Sequence, residues 1–275
     1  MFFKLSGNEG YCIIFWCSSY AFQLYMDFSG CVDICRGVSA LFGIDLVDNF
    51  NAPYFSKSIK EFWRRWHMSL SSWLKDYVYI PLGGSRKGVV RKHMNLVITF
   101  AVSGIWHGAG LNYLAWGLLQ AIYQIVGECT LGIRHKIKTI MNIKENSVSD
   151  NFYRRCITFN LSVVSWIVFR AGSLRGAITY LQNMCTLDRI WTLTDGSLFE
   201  FGITYNKFIV ILINILVVLA FEYYSMKENR NTKNVILNMH LLTRWIIYLV
   251  LVFDILLFGA YGSGYNASGF LYGGF

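Results

Sequence analysis

EFWRRWHMSLSSWLKDYVYIPLGGSRKG, residues 61–88, and SGIWHGAGLNYLAWG, residues 103–117, decide how this chain reads. The first is rich in tryptophan and arginine and carries His67. The second carries His107 inside an apolar run, residues 95–127, that has no charged side chain. A histidine there needs a reason, because polar side chains in a membrane interior are costly and tend to be functional. At about 100° per residue, Trp63, Trp66, Leu70, Trp73, Leu74 and Tyr77 share one arc. Arg64, Arg65, Ser71, Ser72 and Lys75 lie opposite. The spacing predicts one amphipathic helix at a membrane surface, with its tryptophans at headgroup depth and His67 at the edge of the apolar arc. Ser58, with Glu61 three residues on, has the pattern of a capping box at its start. Pro81 and Gly83-Gly84 end it.

Composition sets the class. The 275 residues are 55% hydrophobic, 17% aromatic and 15% charged, where a soluble domain carries about 25% charged residues. The net charge of +9 comes from short basic clusters between apolar runs. That is how membrane proteins build cytoplasmic loops, and it argues against nucleic acid as a partner. Seven cysteines, an odd number, include no C-x-x-C pair, so neither a disulfide framework nor a zinc site is expected. The histidines have no metal-ligand spacing, and no metal is expected. The expectation is an all-α, multi-pass membrane protein built from transmembrane, re-entrant and interfacial amphipathic helices. It forms a single membrane-embedded domain over residues 1–275, with the lipid bilayer as its first partner.

Along the chain, residues 11–26 form an apolar run that leads into Asp27-Phe28-Ser29-Gly30. Residues 31–43 continue with Asp33 and Arg36 embedded, three apart, as an internal ion pair or as lining of a substrate path. Residues 44–58 read as a loop. The run 95–127 is flanked by Arg86, Lys87, Arg91, Lys92 and His93 on one side. Arg134, Lys136, Lys138, Lys144, Arg154 and Arg155 flank the other. Two basic flanks put both ends in the cytoplasm, so the stretch goes in and returns. Its first arm, residues 95–106, is too short to cross at about 1.5 Å per residue. This predicts a re-entrant or tilted hairpin with His107 near its turn. Residues 157–169 lead out and 207–224 return. Lys227, Arg230, Lys233 and Arg244 mark a further cytoplasmic loop, 245–260 leads out again, and the tail 261–275 has no charge.

Each candidate has two readings. His107 is a satisfied core residue or a general base, for which its near-neutral pKa suits it. Gly104, Gly108, Ala109 and Gly110 admit close approach of a ligand, or pack helices through Gly104-x-x-x-Gly108. His67 is an interfacial histidine or a second site residue. Arg64, Arg65, Arg86 and Lys87 are an ordinary cytoplasmic collar, or they hold the phosphates of a donor such as coenzyme A. Asp27, Asp33, Trp106 and Asn112 are candidates to line a channel. A transporter would use Asp27, Asp33, Arg36 and His107 as one polar path.

Three stretches together resemble the membrane-bound O-acyltransferase family: DFSG at 27–30, NFNAPYFSKSIKEFWRRWHMSLSSWLKDYVYIPLGGSR at 49–86, and SGIWHGAGLNYLAWG at 103–117. The resemblance covers roughly residues 21–124, and WIVFRAGSLRGA at 166–177 is similar more loosely. Within the family the chain is most similar to the bacterial alginate O-acetylation branch. The D-alanyl transfer protein for teichoic acids is a more distant likeness. The resemblance implies multi-pass acyl transfer in a cell membrane. His67 and His107 match the family's two marked histidines, and His107 matches the one treated as catalytic. It implies attack on a thioester by a hydroxyl, with His107 taking the proton or stabilising the transferring group. Acetyl-coenzyme A or another acyl thioester is the implied donor, a substrate on the cytoplasmic side and not a bound cofactor. The implied acceptor is a glycan or partner protein outside, where a separate extracytoplasmic acetyltransferase often completes the modification. Family members are longer, with spans before DFSG, and end in a FIYF-type tail where this sequence ends FLYGGF. The chain therefore reads as a C-terminal portion. A transporter or channel, or an inactive fragment of an acyltransferase, stands beside the enzyme as an alternative.

Overall fold

A computed structural model describes residues 10–186, 190–196, 199, 204–228 and 232–259. Among these the regular elements are all helical, as the composition and periodicity require. The uncharged tail, Arg230 and the side chain of Lys233 lie outside the described residues. Helix α1, Gly10–Leu41, joins both N-terminal apolar runs into 32 residues. Asp27-Phe28-Ser29-Gly30 does not interrupt it. The N-terminal half buries Ile13, Cys17, Ala21 and Leu24, while Ile34, Val38 and Leu41 at the other end are exposed. Arg36 meets Asp33 at 3.5 Å and Asp48 at 2.6 Å, so the ion pair forms and also ties the helix end to the following loop.

Helix α2, Ile59–Phe62, starts as its sequence predicts. The Glu61 amide donates to Ser58 Oγ at 3.1 Å, and the Lys57 amide donates to Glu61 Oε2 at 2.9 Å. The single amphipathic helix expected beyond it does not form. The chain turns at residues 63–67, and His67 takes the left-handed conformation, φ 44 and ψ 55. Helix α3, Met68–Leu74, then passes into a wide π-turn, Lys75–Tyr79. The cause is burial. Trp66 is 2% exposed and Trp63 is 8% exposed, whereas Trp73 on the far side of the break is 50% exposed. Two tryptophans belong to the core and one to the surface, and a straight helix cannot serve both directions. Only Trp73 and Tyr77, whose rings meet at 5.3 Å, keep the expected outward position.

Helices α4, Val89–His107, and α5, Leu111–Cys129, form the expected hairpin around Gly108-Ala109-Gly110. The first arm is longer than the apolar run suggests. It has 19 residues, about 28 Å at a rise of about 1.5 Å per residue, because Arg91, Lys92 and His93 form its first turns. Shortness therefore does not force the hairpin. The close packing of its arms holds it together. A Cβ on Gly117 would lie 2.1 Å from the Phe100 carbonyl oxygen, and one on Gly104 would lie 2.4 Å from that of Tyr113. Gly104 thus serves backbone contact with the facing helix, as the small-residue reading has it.

Beyond the hairpin come α6, Leu131–Ile140, α7, Val148–Arg170, and α8, Leu174–Met184. Helix α7 packs on α1 and α5. Its buried hydroxyls bond back to its own carbonyls: Thr158 to Arg154, Ser162 to Thr158 and Ser165 to Ser162. No polar group is thereby left over on that face from these three residues. Helices α9, Tyr205–Glu228, α10, Thr232–Leu237, and α11, Leu241–Phe258, follow. By length and composition α9 and α11 can each cross a membrane, as residues 207–224 and 245–260 suggest. A side-chain bond anchors α9 to α1: the Tyr25 hydroxyl donates to Glu222, a carboxyl buried on α9.

The glycine contacts predict unequal effects within one helix. Replacing Gly117 by alanine should cost about 1–3 kcal/mol, the usual range for overpacking. Replacing Gly127, which has open space around it, should be neutral or stabilising by up to about 1 kcal/mol. Thermal midpoints in detergent compare the two. Equal shifts would count against tight arm-to-arm contact.

Candidate functional site

The two histidines approach one another from different elements. His107 is the last residue of α4, and His67 stands at the break before α3. Both rings pack against Trp106, at centroid distances of 4.9 Å for His107 and 6.1 Å for His67. The indole between them is exposed, as is Ile105, so the pair opens to the outside of the described fold on that side. On its inner side His107 meets Trp116 at 5.1 Å and Phe169 at 5.3 Å. His67 meets Phe28, from the DFSG motif, at 4.8 Å. That motif therefore contributes a wall to the His67 ring.

The backbone at His67 is held from the preceding loop. Asn49 takes three donors on one oxygen: the Ser69 amide at 3.0 Å, the Ser69 hydroxyl at 2.6 Å, and His67 Nδ1 at 3.3 Å. The Met68 amide also donates to the Asn49 carbonyl at 3.1 Å, and the Asn51 amide to the Arg65 carbonyl at 3.0 Å. A backbone amide can only donate, so the Asn49 atom is its carbonyl oxygen. Nδ1 of His67 then carries the proton, and Nε2 keeps its lone pair. Burial, and next the neighbouring His107, hold the His67 imidazole below its ordinary pKa. The ring is a neutral base near pH 7. A non-glycine residue at positive φ typically stores about 1–3 kcal/mol when the surroundings impose it, and such positions cluster at functional sites.

Around His107, Ser103 Oγ, Trp116 Nε1 and Trp166 Nε1 are buried without a hydrogen-bond partner among the described residues. Ser103 lies one helical turn before His107 on α4. Trp116 and Trp166 stack at 5.9 Å and 22°. By contrast Trp63 Nε1 donates to Gln120 at 3.1 Å. Unpaired buried donors cost about 1–3 kcal/mol each; of these three residues Trp116 touches the His107 ring, and Trp166 lies behind Trp116.

The other candidate residues divide. Arg65 is committed to structure: it pairs with Glu61 at 2.9 Å and donates to the Asn51 carbonyl at 3.2 Å. Arg64, Arg86 and Lys87 are exposed. Arg86 and Lys87 stand on the glycine turn that ends the first stretch, where Gly83 and Gly84 have φ of 105° and 56°. Asn95 holds that turn against α4 by donating to the Leu82 and Gly84 carbonyls at 3.2 and 2.9 Å. Asn112 is buried and donates to the Phe169 carbonyl at 3.0 Å, tying the hairpin turn to the end of α7. Asp33 belongs to the exposed ion pair with Arg36. Asp27 is half-buried on α1 and hydrogen-bonded to Gln23. Of the proposed channel-lining group only Trp106 touches both histidines. Asn49, Asn95 and Gln120 escape the sequence reading. Each is an amide within or beside a motif, and nothing in local periodicity says which carbonyl or ring it will meet.

The tautomer assignment predicts a specific loss. Replacing Asn49 by leucine should destabilise the protein by about 1–3 kcal/mol and remove the fixed tautomer of His67. In 15N spectra of histidine-labelled protein, the unsubstituted chain should show Nδ1–H and a bare Nε2 for His67. That pattern should persist as pH falls through about 6.5, the ordinary histidine value. A reversed tautomer, or protonation at or above that pH, would refute the assignment.

The family model MBOAT, the membrane-bound O-acyltransferase family, matches residues 8–169. The chain is 40% identical over 172 residues to a peptidoglycan O-acetyltransferase of Helicobacter pylori, covering 62% of this chain and 31% of that protein. It is 38% identical over 177 residues to a probable alginate O-acetylase, AlgI, of Pseudomonas aeruginosa, covering 64% and 32%. It is 36% identical over 126 residues to a teichoic acid D-alanyltransferase of Bacillus subtilis, covering 43% and 31%. The chain thus spans about a third of the length of these relatives.

Proposed function

The chain belongs to the membrane-bound O-acyltransferase family, and from that premise we propose that it forms the acyl-transfer region of a membrane O-acetyltransferase. The observation that carries the proposal is the convergence of His67 and His107 on Trp106, with unpaired buried donors at Ser103, Trp116 and Trp166. The acceptor hydroxyl attacks the carbonyl carbon of a thioester, acetyl-coenzyme A or another acyl thioester. His107 takes the hydroxyl proton as the C–O bond forms. The C–S bond then breaks, and the proton passes to the departing thiolate. Nε2 of neutral His67 is the second base within the same aromatic enclosure. An acyl carbonyl oxygen supplies the acceptor that the buried hydroxyl and indole donors lack, and negative charge developing on that oxygen strengthens such bonds.

Donor binding falls to Arg64, Arg86 and Lys87, whose exposed cations suit the phosphates of coenzyme A. Arg65 shapes the turn that presents Arg64. The named activities of the relatives, on peptidoglycan, alginate and teichoic acid, support a hydroxyl of an extracytoplasmic polymer as the final acceptor. A partner acetyltransferase outside the membrane would receive or complete the transfer. The protein resides in the plasma membrane as a multi-pass chain, with α9 and α11 among its crossings and the basic loops on the cytoplasmic side.

Replacing His107 by alanine, in cells that acetylate the polymer, should lower acetylation by about 10²–10⁴-fold, the usual contribution of a general base. Membrane insertion should be unchanged. Polymer acetylation is read chemically and insertion by membrane fractionation. Retained acetylation in that variant would overturn the assignment of His107.

A further inference from the structure

The connection between α5 and α7 carries a helix that the transfer reading leaves unused. Helix α6 has no buried residue. At about 100° per residue, Ile133, Ile137 and Ile140 fall within an arc of about 60°. Their exposures are 61%, 48% and 83%. Arg134 and Lys136 flank this arc on its two sides, where long basic stems can lie along apolar surface with their charges turned to a polar layer.

The charge around the helix is one-sided. Its sequence LGIRHKIKTI contains no acidic residue. The nearby acids are already engaged: Glu128 with Lys92, Asp150 with Lys138 at 2.7 Å, and Glu145 with His135 at 3.2 Å. Those contacts tie the end of α5 to α4, and α6 to α7 and to the loop before it, without covering the isoleucines. Arg134 also donates to the Gly127 carbonyl. Beyond the helix, Val148 and Phe152, four apart on α7, continue the exposed apolar character.

We infer that α6 is a docking helix for an anionic phospholipid surface. Its isoleucine arc enters the boundary of the acyl chains, and Arg134 and Lys136 meet lipid phosphates. Charge complementarity selects this occupant: an apolar arc between basic flanks, with no acid in the helix and with Glu128 and Asp150 paired to lysines, fits a negatively charged leaflet. The inference stands apart from the acyl-transfer reading and does not need it.

The test uses the whole chain in proteoliposomes. An environment-sensitive fluorescent amino acid is placed at Ile137 or, on the opposite side of α6, at Thr139. Vesicles are phosphatidylcholine alone or mixed with phosphatidylglycerol, and the quenchers are brominated lipid and iodide on both sides of the membrane. In the mixed vesicles, brominated lipid should quench the Ile137 site severalfold more than the Thr139 site, and iodide should show the reverse preference. The Ile137 quenching should weaken in phosphatidylcholine alone, and in the double variant Arg134→Glu, Lys136→Glu. Equal iodide quenching at both sites would overturn the inference by showing a solvated face. Lipid quenching indifferent to phosphatidylglycerol would overturn the anionic selectivity. Protection from both quenchers would place protein, and not lipid, on the isoleucine arc.

Discussion

The structure depends on four indoles that meet between three parts of the chain. Trp66 packs on Trp166 at 5.0 Å, Trp166 on Trp116 at 5.9 Å, and Trp116 on Trp63 at 5.8 Å. They bring the turn after α2 against α5 and α7. Burying an aromatic ring removes about 150–250 Å2 from water, and each of the four indoles is 8% exposed or less. Its consequence is geometric. Trp63 and Trp66 must point inward, so the helix they begin cannot continue, and the chain breaks at His67. The position of one imidazole follows from the burial of its neighbours. The position of the other follows from the hairpin, because His107 ends α4 immediately before the glycine turn.

Much of this was legible in the residues. The apolar run with His107 at its centre announced a hairpin, and Gly104 announced close contact with the facing arm. Ser58 and Glu61 announced the start of α2, and of the two readings of Asp33 and Arg36 it is the ion pair that forms, at the surface and not internally. The break at His67 was not legible. The periodicity of Trp63, Trp66, Leu70, Trp73 and Tyr77 fits one helix well, and only the tertiary demand for buried indoles overrides it. Length misled as well: the first arm looked short because its initial turns are basic. The amides Asn49, Asn95 and Gln120 were invisible for another reason. Their partners lie 11 to 57 residues away, and one-dimensional patterns do not encode such pairs.

The basic residues show how sequence clustering hides different duties. Arg64 and Arg65 are adjacent, yet one is exposed and the other is fastened to Glu61 and to the Asn51 carbonyl. Lys92 and Lys138 neutralise acids at the ends of neighbouring helices, while Lys136 has no acidic partner among the described residues. Counting positive charge does not distinguish these duties. Only their partners separate cations that hold the fold from cations left to meet phosphate.

The left-handed backbone at His67 sets two demands on one position. Glycine and asparagine take that conformation most readily, so either should relax the chain there. Neither can offer an imidazole. Evolution toward heat resistance alone would be drawn to those residues and away from histidine, a conflict familiar where a strained site serves function. An alanine scan would misread the position, since alanine discards the ring and keeps the strain. Glycine separates the two effects. A variant that gains stability while losing chemistry would identify His67 as a residue kept against the preference of its own backbone.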